Sequence, residues 1–243
     1  MDGPLIKRPL IRRLAALASA VLVTSTAQST IVQVEGDDLI FTYDDSTYFG
    51  TAMLNGNSLF FLPTEFQVAS ANTDGFQEVT DTLNIGIDVK AGSTFDIGGL
   101  QQYIAGDYMM TGSTSAVSVS GSLMLDSHTS DNTTTLNYTA DQLNVVGALT
   151  EWSSLNTIEL SDFTDWGSDS SLSLSYSSTM SASSHALGDS AFIQQKVSAV
   201  GFQVIAALDP DDESEPVEVV EPSTLILLSM GMLALFMVRK PKR

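Results

Sequence analysis

The sequence contains no cysteine, which excludes a disulfide framework, a thiol nucleophile and a cysteine-based metal site. Histidine is nearly as scarce: His128 and His185 are the only two. Both stand in Ser- and Asp-rich stretches, where a histidine is ordinarily solvated, and the sequence shows no convergence that would make them metal ligands. Positive charge is the third scarcity. Of ten Lys and Arg, four (Lys7, Arg8, Arg12, Arg13) open the chain and four (Arg239, Lys240, Lys242, Arg243) close it. Lys90 and Lys196 therefore stand alone against 28 acids between Gln28 and Val238. A field so negative repels phosphate backbones and excludes nucleic acid as a partner. It equally disfavours docking of the body onto anionic lipid. Cations, cationic polymers and neutral sugars stay open as partners.

Recognised catalytic patterns are also missing. No Gly-x-Ser-x-Gly elbow occurs, and Asp126-Ser127-His128 are neighbours in sequence, which does not make a triad. Gly92-Ser93-Thr94 and Gly98-Gly99 read as turns and lack the pattern of a phosphate loop. Paired carboxylates are the one enzyme ingredient in supply. Glu65, Glu78, Glu151 and Glu159 fall in or beside predicted strands, and a glycoside hydrolase needs two acids facing a sugar. In so acidic a chain some pair is always close, so the expectation is a protein that is not an enzyme, with a secreted carbohydrate-active hydrolase as the alternative. Asp162, Asp165 and Asp169, with Gly167 between them, have the oxygen ligands of a calcium loop without the spacing or closing Glu of an EF-hand. They are the candidate metal residues, and calcium is the one cofactor considered. Trp152 and Trp166 can stack a sugar if exposed or fill the core if buried.

What is present begins with two short apolar runs, each flanked by the cations. Residues 1–27 have the layout of a secretory signal peptide: the basic start, an apolar stretch from Leu14 to Val23, then Ser25 and Ala27 at the −3 and −1 places of a cut between Ala27 and Gln28. At the other end Glu221-Pro222-Ser223-Thr224 leads into an apolar run from Leu225 to Val238, followed by Arg239, Lys240, Lys242 and Arg243. As a helix those residues reach roughly 21 Å, short for a permanent span of the ~30 Å hydrocarbon layer. Cations at both flanks are expected to stay cytoplasmic while the acidic middle crosses.

A Glu-Pro motif, a hydrophobic helix and a terminal basic cluster, in that order, resemble the PEP-CTERM sorting signal of Gram-negative bacteria. The resemblance covers Val220 to Arg243. Glu221 and Pro222 match the last two places of the Pro-Glu-Pro motif, Ser223 and Thr224 match its common continuation, and Val220 stands where the family usually has the first proline. The resemblance implies passage through the secretory translocon and recognition by an exosortase, a membrane-embedded processing enzyme. It further implies transient anchoring by the C-terminal helix and delivery to the cell surface or the exopolysaccharide-rich extracellular matrix. A structural or adhesive role in biofilm follows from that address. A plain membrane-anchored periplasmic protein is the other reading of the same tail.

Residues 209–219, with Asp209, Asp211, Asp212, Glu213 and Glu215 beside Pro210 and Pro216, read as an extended acidic stalk. The body, residues 28–208, is dominated by period-2 alternation, the mark of strands with one buried face. Leu83, Ile85, Ile87 and Val89 alternate with polar residues, as do Val117, Val119, Leu123 and Leu125, then Leu172, Leu174 and Tyr176, and Val200, Phe202 and Val204. Ser168 to Ser184 reads as a strand on the same ground, despite its linker-like composition. Further strands are expected at 31–34, 39–43, 48–54, 59–62, 66–69, 103–109, 133–140, 157–160 and 192–197. One apolar and one Ser/Thr-rich face per strand predicts an all-β domain of antiparallel strands in a two-sheet, jelly-roll-like sandwich. An N-terminal signal helix and a C-terminal hydrophobic helix are expected to flank it.

Overall fold

The computed structural model describes residues 30–93, 95–130, 132–141, 143–160 and 170–206. Several expectations lie outside the described residues: the signal segment with its cut between Ala27 and Gln28, Asp162, Asp165, Asp169 and Trp166, and the stalk. So do Glu221, Pro222, Ser223 and Thr224, the basic cluster, and both flanking helices.

The described chain forms twelve strands. They are β1 (Ile31–Glu35), β2 (Leu39–Asp44), β3 (Met53–Asn55), β4 (Ser58–Phe61), β5 (Gln67–Ala71), β6 (Gly75–Val89), β7 (Phe95–Thr111), β8 (Ala116–Ser127), β9 (Thr133–Thr139), β10 (Thr150–Glu159), β11 (Ser171–Ser184) and β12 (Ser190–Ala206). One sheet runs β1-β2-β6-β11-β8-β9 and the other β10-β7-β12-β4-β3, with β5 also paired to β12. Every ladder is antiparallel, as the alternating pattern requires when one face is wet.

The inward residues of the two sheets meet in one core. Phe41 packs on Phe202 with ring centres 5.5 Å apart, and Tyr43 meets Phe61 edge-on at 5.6 Å. The Ser-rich segment sits at the centre of the first sheet, between β6 and β8. Its Leu172, Leu174, Tyr176, Met180 and Ala182 are all buried, so its even-numbered residues face inward through its whole length. Ser70 Oγ and Ser184 Oγ meet at 2.8 Å, joining the two sheets by a hydrogen bond at one end of the sandwich.

Three sequence expectations are corrected. Residues 48–54 are not one strand: Tyr48 and Phe49 belong to a turn in which Gly50 N donates to Thr47 O at 3.0 Å, and only Met53–Asn55 pair as β3. The alternation there was imitated by two aromatics that serve the core from a loop. Gly98 and Gly99 are not a turn but lie within β7, where Gly98 is passed over as the register slips between Gln203 and Val204 of β12. A Cβ on Gly98 would stand 2.6 Å from Ile205 Cγ2, so glycine there permits close approach. Finally, the segments at 192–197 and 200–204 are one strand. β12 carries a bulge at Lys196, and one extra residue exchanges the two faces. Ala191, Ile193 and Gln195 face inward before it, and Ser198, Val200 and Phe202 face inward after it.

Candidate functional site

The outer face of the first sheet is a lattice of hydroxyls. Outward residues fall in register across four strands: Thr82, Ser177, Ser122 and Asn137 form one row, and Thr80, Thr179, Ser120 and Thr139 the next. Neighbours bond across the ladder, Thr80 to Thr179 at 2.8 Å and Ser118 to Ser181 at 2.7 Å. At the rim His128 Nδ1 lies 3.0 Å from Ser171 Oγ, and Ser171 Oγ donates to Asp88 Oδ1 at 2.7 Å. Nothing in the sequence signals this trio, because its members are 43 and 83 residues apart and meet only through strand register. The serine proton is directed at the carboxylate, not at the imidazole. The trio is therefore not wired as a base-activated nucleophile, in which the ring must take that proton.

The outer face of the second sheet is different in kind. One row runs Met53, Phe60, Ala199, Tyr103, Leu155 across β3, β4, β12, β7 and β10. Phe60, Ala199, Tyr103 and Leu155 of this row, with Ser58, Gln101 and Gly201, line a shallow trough. Leu155 and Met53 are about half exposed, whereas Phe60 is buried. The lining is apolar apart from the Gln101 amide and the hydroxyls of Ser58 and Tyr103, and it includes no cation.

Both lysines of the body are engaged. Lys90 Nζ stands 3.8 Å from Glu35 Oε2, a loose pair in which the lysine is half-buried and the glutamate exposed. Lys196 Nζ bonds Asp107 Oδ2, and the Asp107 side chain is only 11 % exposed against 42 % for the lysine. Asp107 is flanked directly across the ladders by Glu151 and by Gln194. The bulge sets the lysine over this carboxylate.

A polar layer crosses the core itself. Ser178 Oγ donates to Gln195 Oε1, and Gln195 Nε2 to Tyr176 Oη, both at 3.0 Å. Tyr138 Oη donates to Ser177 O at 3.0 Å over Gly121, where a Cβ would come within 2.2 Å of the same oxygen. Asn156 Nδ2 reaches Gln102 Oε1 at 2.9 Å. Gln102 Nε2 and Ser198 Oγ face the phenols but meet no acceptor or donor with hydrogen-bond geometry. Burial raises both phenol pKa values, Tyr138 being further raised by the nearby Tyr176. A phenol whose folded pKa lies above its unfolded value near 10.0 stabilises the fold below that pH and ceases to as pH climbs through the folded value. Stability is therefore expected to fall steeply above pH 10. Spectrophotometric titration should show the Tyr138 and Tyr176 phenols ionising only as the β-sheet circular dichroism is lost. Ionisation of both with the fold intact would contradict it.

At one end of the sandwich Asp189 accepts from Thr114 N at 2.9 Å and from Thr114 Oγ1 at 2.6 Å, and these bonds hold its carboxyl below the usual range. Thr114 Oγ1 in turn accepts from His185 N at 3.1 Å, so this histidine is tied by its backbone. Glu65, Glu78 and Glu151 are exposed and Glu159 half-buried; Glu65 lies in a loop, Glu78 on β6, and Glu151 and Glu159 at opposite ends of β10. Trp152 takes the core alternative: it is buried, and its Nε1 donates to Gln194 O at 3.2 Å. Among the described residues no three acidic or histidine side chains converge as a metal site, and no helix is long and apolar enough to cross a membrane.

No protein-family model matches the chain, and none of the curated proteins matches it. Among solved structures it is similar to the VP2 subviral particle of infectious bursal disease virus, at 13 % identity and a TM-score of 0.30, over 72 % of this chain and 48 % of that one. It is also similar to the enzymatically active domain of tailspike protein 4 from bacteriophage CBA120, at 10 % identity and a TM-score of 0.20, over 72 % of this chain and 19 % of that one. The chain thus spans less than half the length of each of these structures.

Proposed function

We propose that this protein is an exported structural or adhesive component of a Gram-negative cell surface, its jelly-roll-like sandwich carried outward by the signal peptide and sorted by the PEP-CTERM-like tail. The observation that carries this reading is the placing of charge. Eight of ten cations stand at the two ends of the sequence, beside the apolar runs, and the two in the body are each taken up by a carboxylate. A secreted body next to a hydrated, hydroxyl-rich matrix also suits a sheet whose outer face is Ser, Thr and Asn. Glu221 to Thr224 would be the segment recognised by an exosortase-like enzyme, with Arg239, Lys240, Lys242 and Arg243 holding the end on the cytoplasmic side. Asp162, Asp165 and Asp169 remain the place to look for calcium.

The test is the mass of the mature protein, purified from a host with an exosortase and from the same host lacking it. With the enzyme, termini near Gln28 and Glu221 are expected; without it, the tail should remain to Arg243. Recovery of an intact chain from the cytosol, with Met1 and Arg243 in place, would overturn the reading.

A further inference from the structure

We propose that Lys196 and Asp107 become joined by an intramolecular amide bond, with Glu151 as the proton carrier. The three residues lie on adjacent strands. Lys196 stands on the β12 bulge with its Nζ on Asp107 Oδ2, Asp107 is buried in β7, and Glu151 is its direct cross-strand neighbour in β10. Directly opposed residues of an antiparallel pair have Cβ atoms about 4.5–5.5 Å apart, within reach of a shared proton.

The step balances without any co-reactant. A proton passes from the Lys196 ammonium to the Asp107 carboxylate, leaving an amine and a carboxylic acid. The Nζ lone pair attacks Asp107 Cγ and the C=O electrons move to oxygen. Glu151 takes a proton from the nitrogen and delivers one to the departing hydroxyl. The C–O bond breaks, water leaves, and Glu151 ends as it began. Fixed juxtaposition favours such a condensation, because well-oriented intramolecular groups react as though at about 10⁵–10⁸ M. The other lysine lacks this setting: Lys90 Nζ is 3.8 Å from Glu35 Oε2, and that carboxylate is exposed where Asp107 is buried. The link would tie residues 89 apart in sequence, closing a long loop in a chain that has no disulfide with which to do so. It does not depend on the export reading.

The chain's composition makes the test sharp. Between Gln28 and Val238 trypsin has only Lys90 and Lys196 to cut after, and acylation of Nζ blocks cleavage. The intact protein is expected to weigh about 18 Da less than its sequence, the mass of one water. After unfolding, trypsin should cut after Lys90 and fail after Lys196, with tandem spectra showing the Lys196–Asp107 linkage. Lys196→Arg keeps the charge and removes the nucleophile, so it should fold and show the full mass. Glu151→Gln should fold and lose most of the deficit. Wild-type protein of full sequence mass, cut after Lys196, overturns the proposal. A deficit undiminished in Glu151→Gln overturns the role given to Glu151.

Discussion

Replacing Phe49 by alanine is expected to cost about 3–5 kcal/mol, the range for truncating a fully buried aromatic. Phe49 belongs to a turn, yet it is 1 % exposed. Its ring touches Phe61 of the second sheet at 6.2 Å, Phe66 at 5.5 Å and Tyr176 of the first sheet at 4.8 Å. One loop side chain thus fills space between the sheets that no strand residue can reach, and its removal leaves a cavity walled by three aromatic rings. Neighbouring Tyr48 is the control. It stacks on Phe66 at 5.6 Å but is 48 % exposed, so Tyr48→Ala should cost only about 1 kcal/mol, in keeping with a single exposed ring pair. Urea unfolding of the two variants measures the contrast. Equal losses would show that the turn does not plug the core.

Gly106→Ala is expected to cost about 3 kcal/mol, the upper part of the range for forcing extra volume into a packed site. A Cβ there would lie 1.9 Å from Gln194 O and 2.9 Å from its carbonyl carbon, both backbone atoms. The same oxygen accepts the Trp152 indole proton at 3.2 Å, and Gly106 pairs with Gln195 beside the bulge. Alanine must push the β12 backbone away, which strains the bulge and draws the acceptor off the indole. Fluorescence of Trp152 should then report greater solvent exposure together with a lower melting temperature. Gly92→Ala is a useful comparison, because at φ +83 it meets backbone strain but no neighbour within 4 Å, and its loss should be about 1 kcal/mol. A Gly106→Ala variant as stable as the parent would mean that β12 does not approach β7 as closely as this.

Much of the sheet structure was legible because alternation is a direct consequence of strand geometry. Leu83 to Val89 and Val117 to Leu125 declared their inward face, and Leu172 to Tyr176 rescued a Ser-rich segment from being read as linker. What could not be read were departures from the period. Beyond Tyr176 the inward residues of β11 become Ser178, Met180, Ala182 and Ser184, of which only Met180 is large and apolar, so the pattern fades although the strand continues. In β12 the extra residue at Lys196 exchanges the faces, and two segments with opposite parity are separate strands to any reading by alternation alone. Sites were less legible than elements. The meeting of His128, Ser171 and Asp88, and of Lys196, Asp107 and Glu151, depends on which residue stands opposite which, and register is fixed by the whole sandwich. The residues singled out from sequence at the two ends, and at Asp162, Asp165 and Asp169, fall outside the described structure, whereas the polar layer of Tyr138, Tyr176 and Gln195 had no sequence signature at all.

The engagement of both lysines has a colloidal consequence. With its only two body cations neutralised at short range, the sandwich shows its neighbours charge of one sign, and copies of it repel as like particles do. The reach of that repulsion is the Debye length, about 10 Å at 0.1 M salt and near 30 Å at 0.01 M. How densely such molecules crowd on a surface is then governed by the ionic strength around them, and fresh water should hold them several times farther apart than brine.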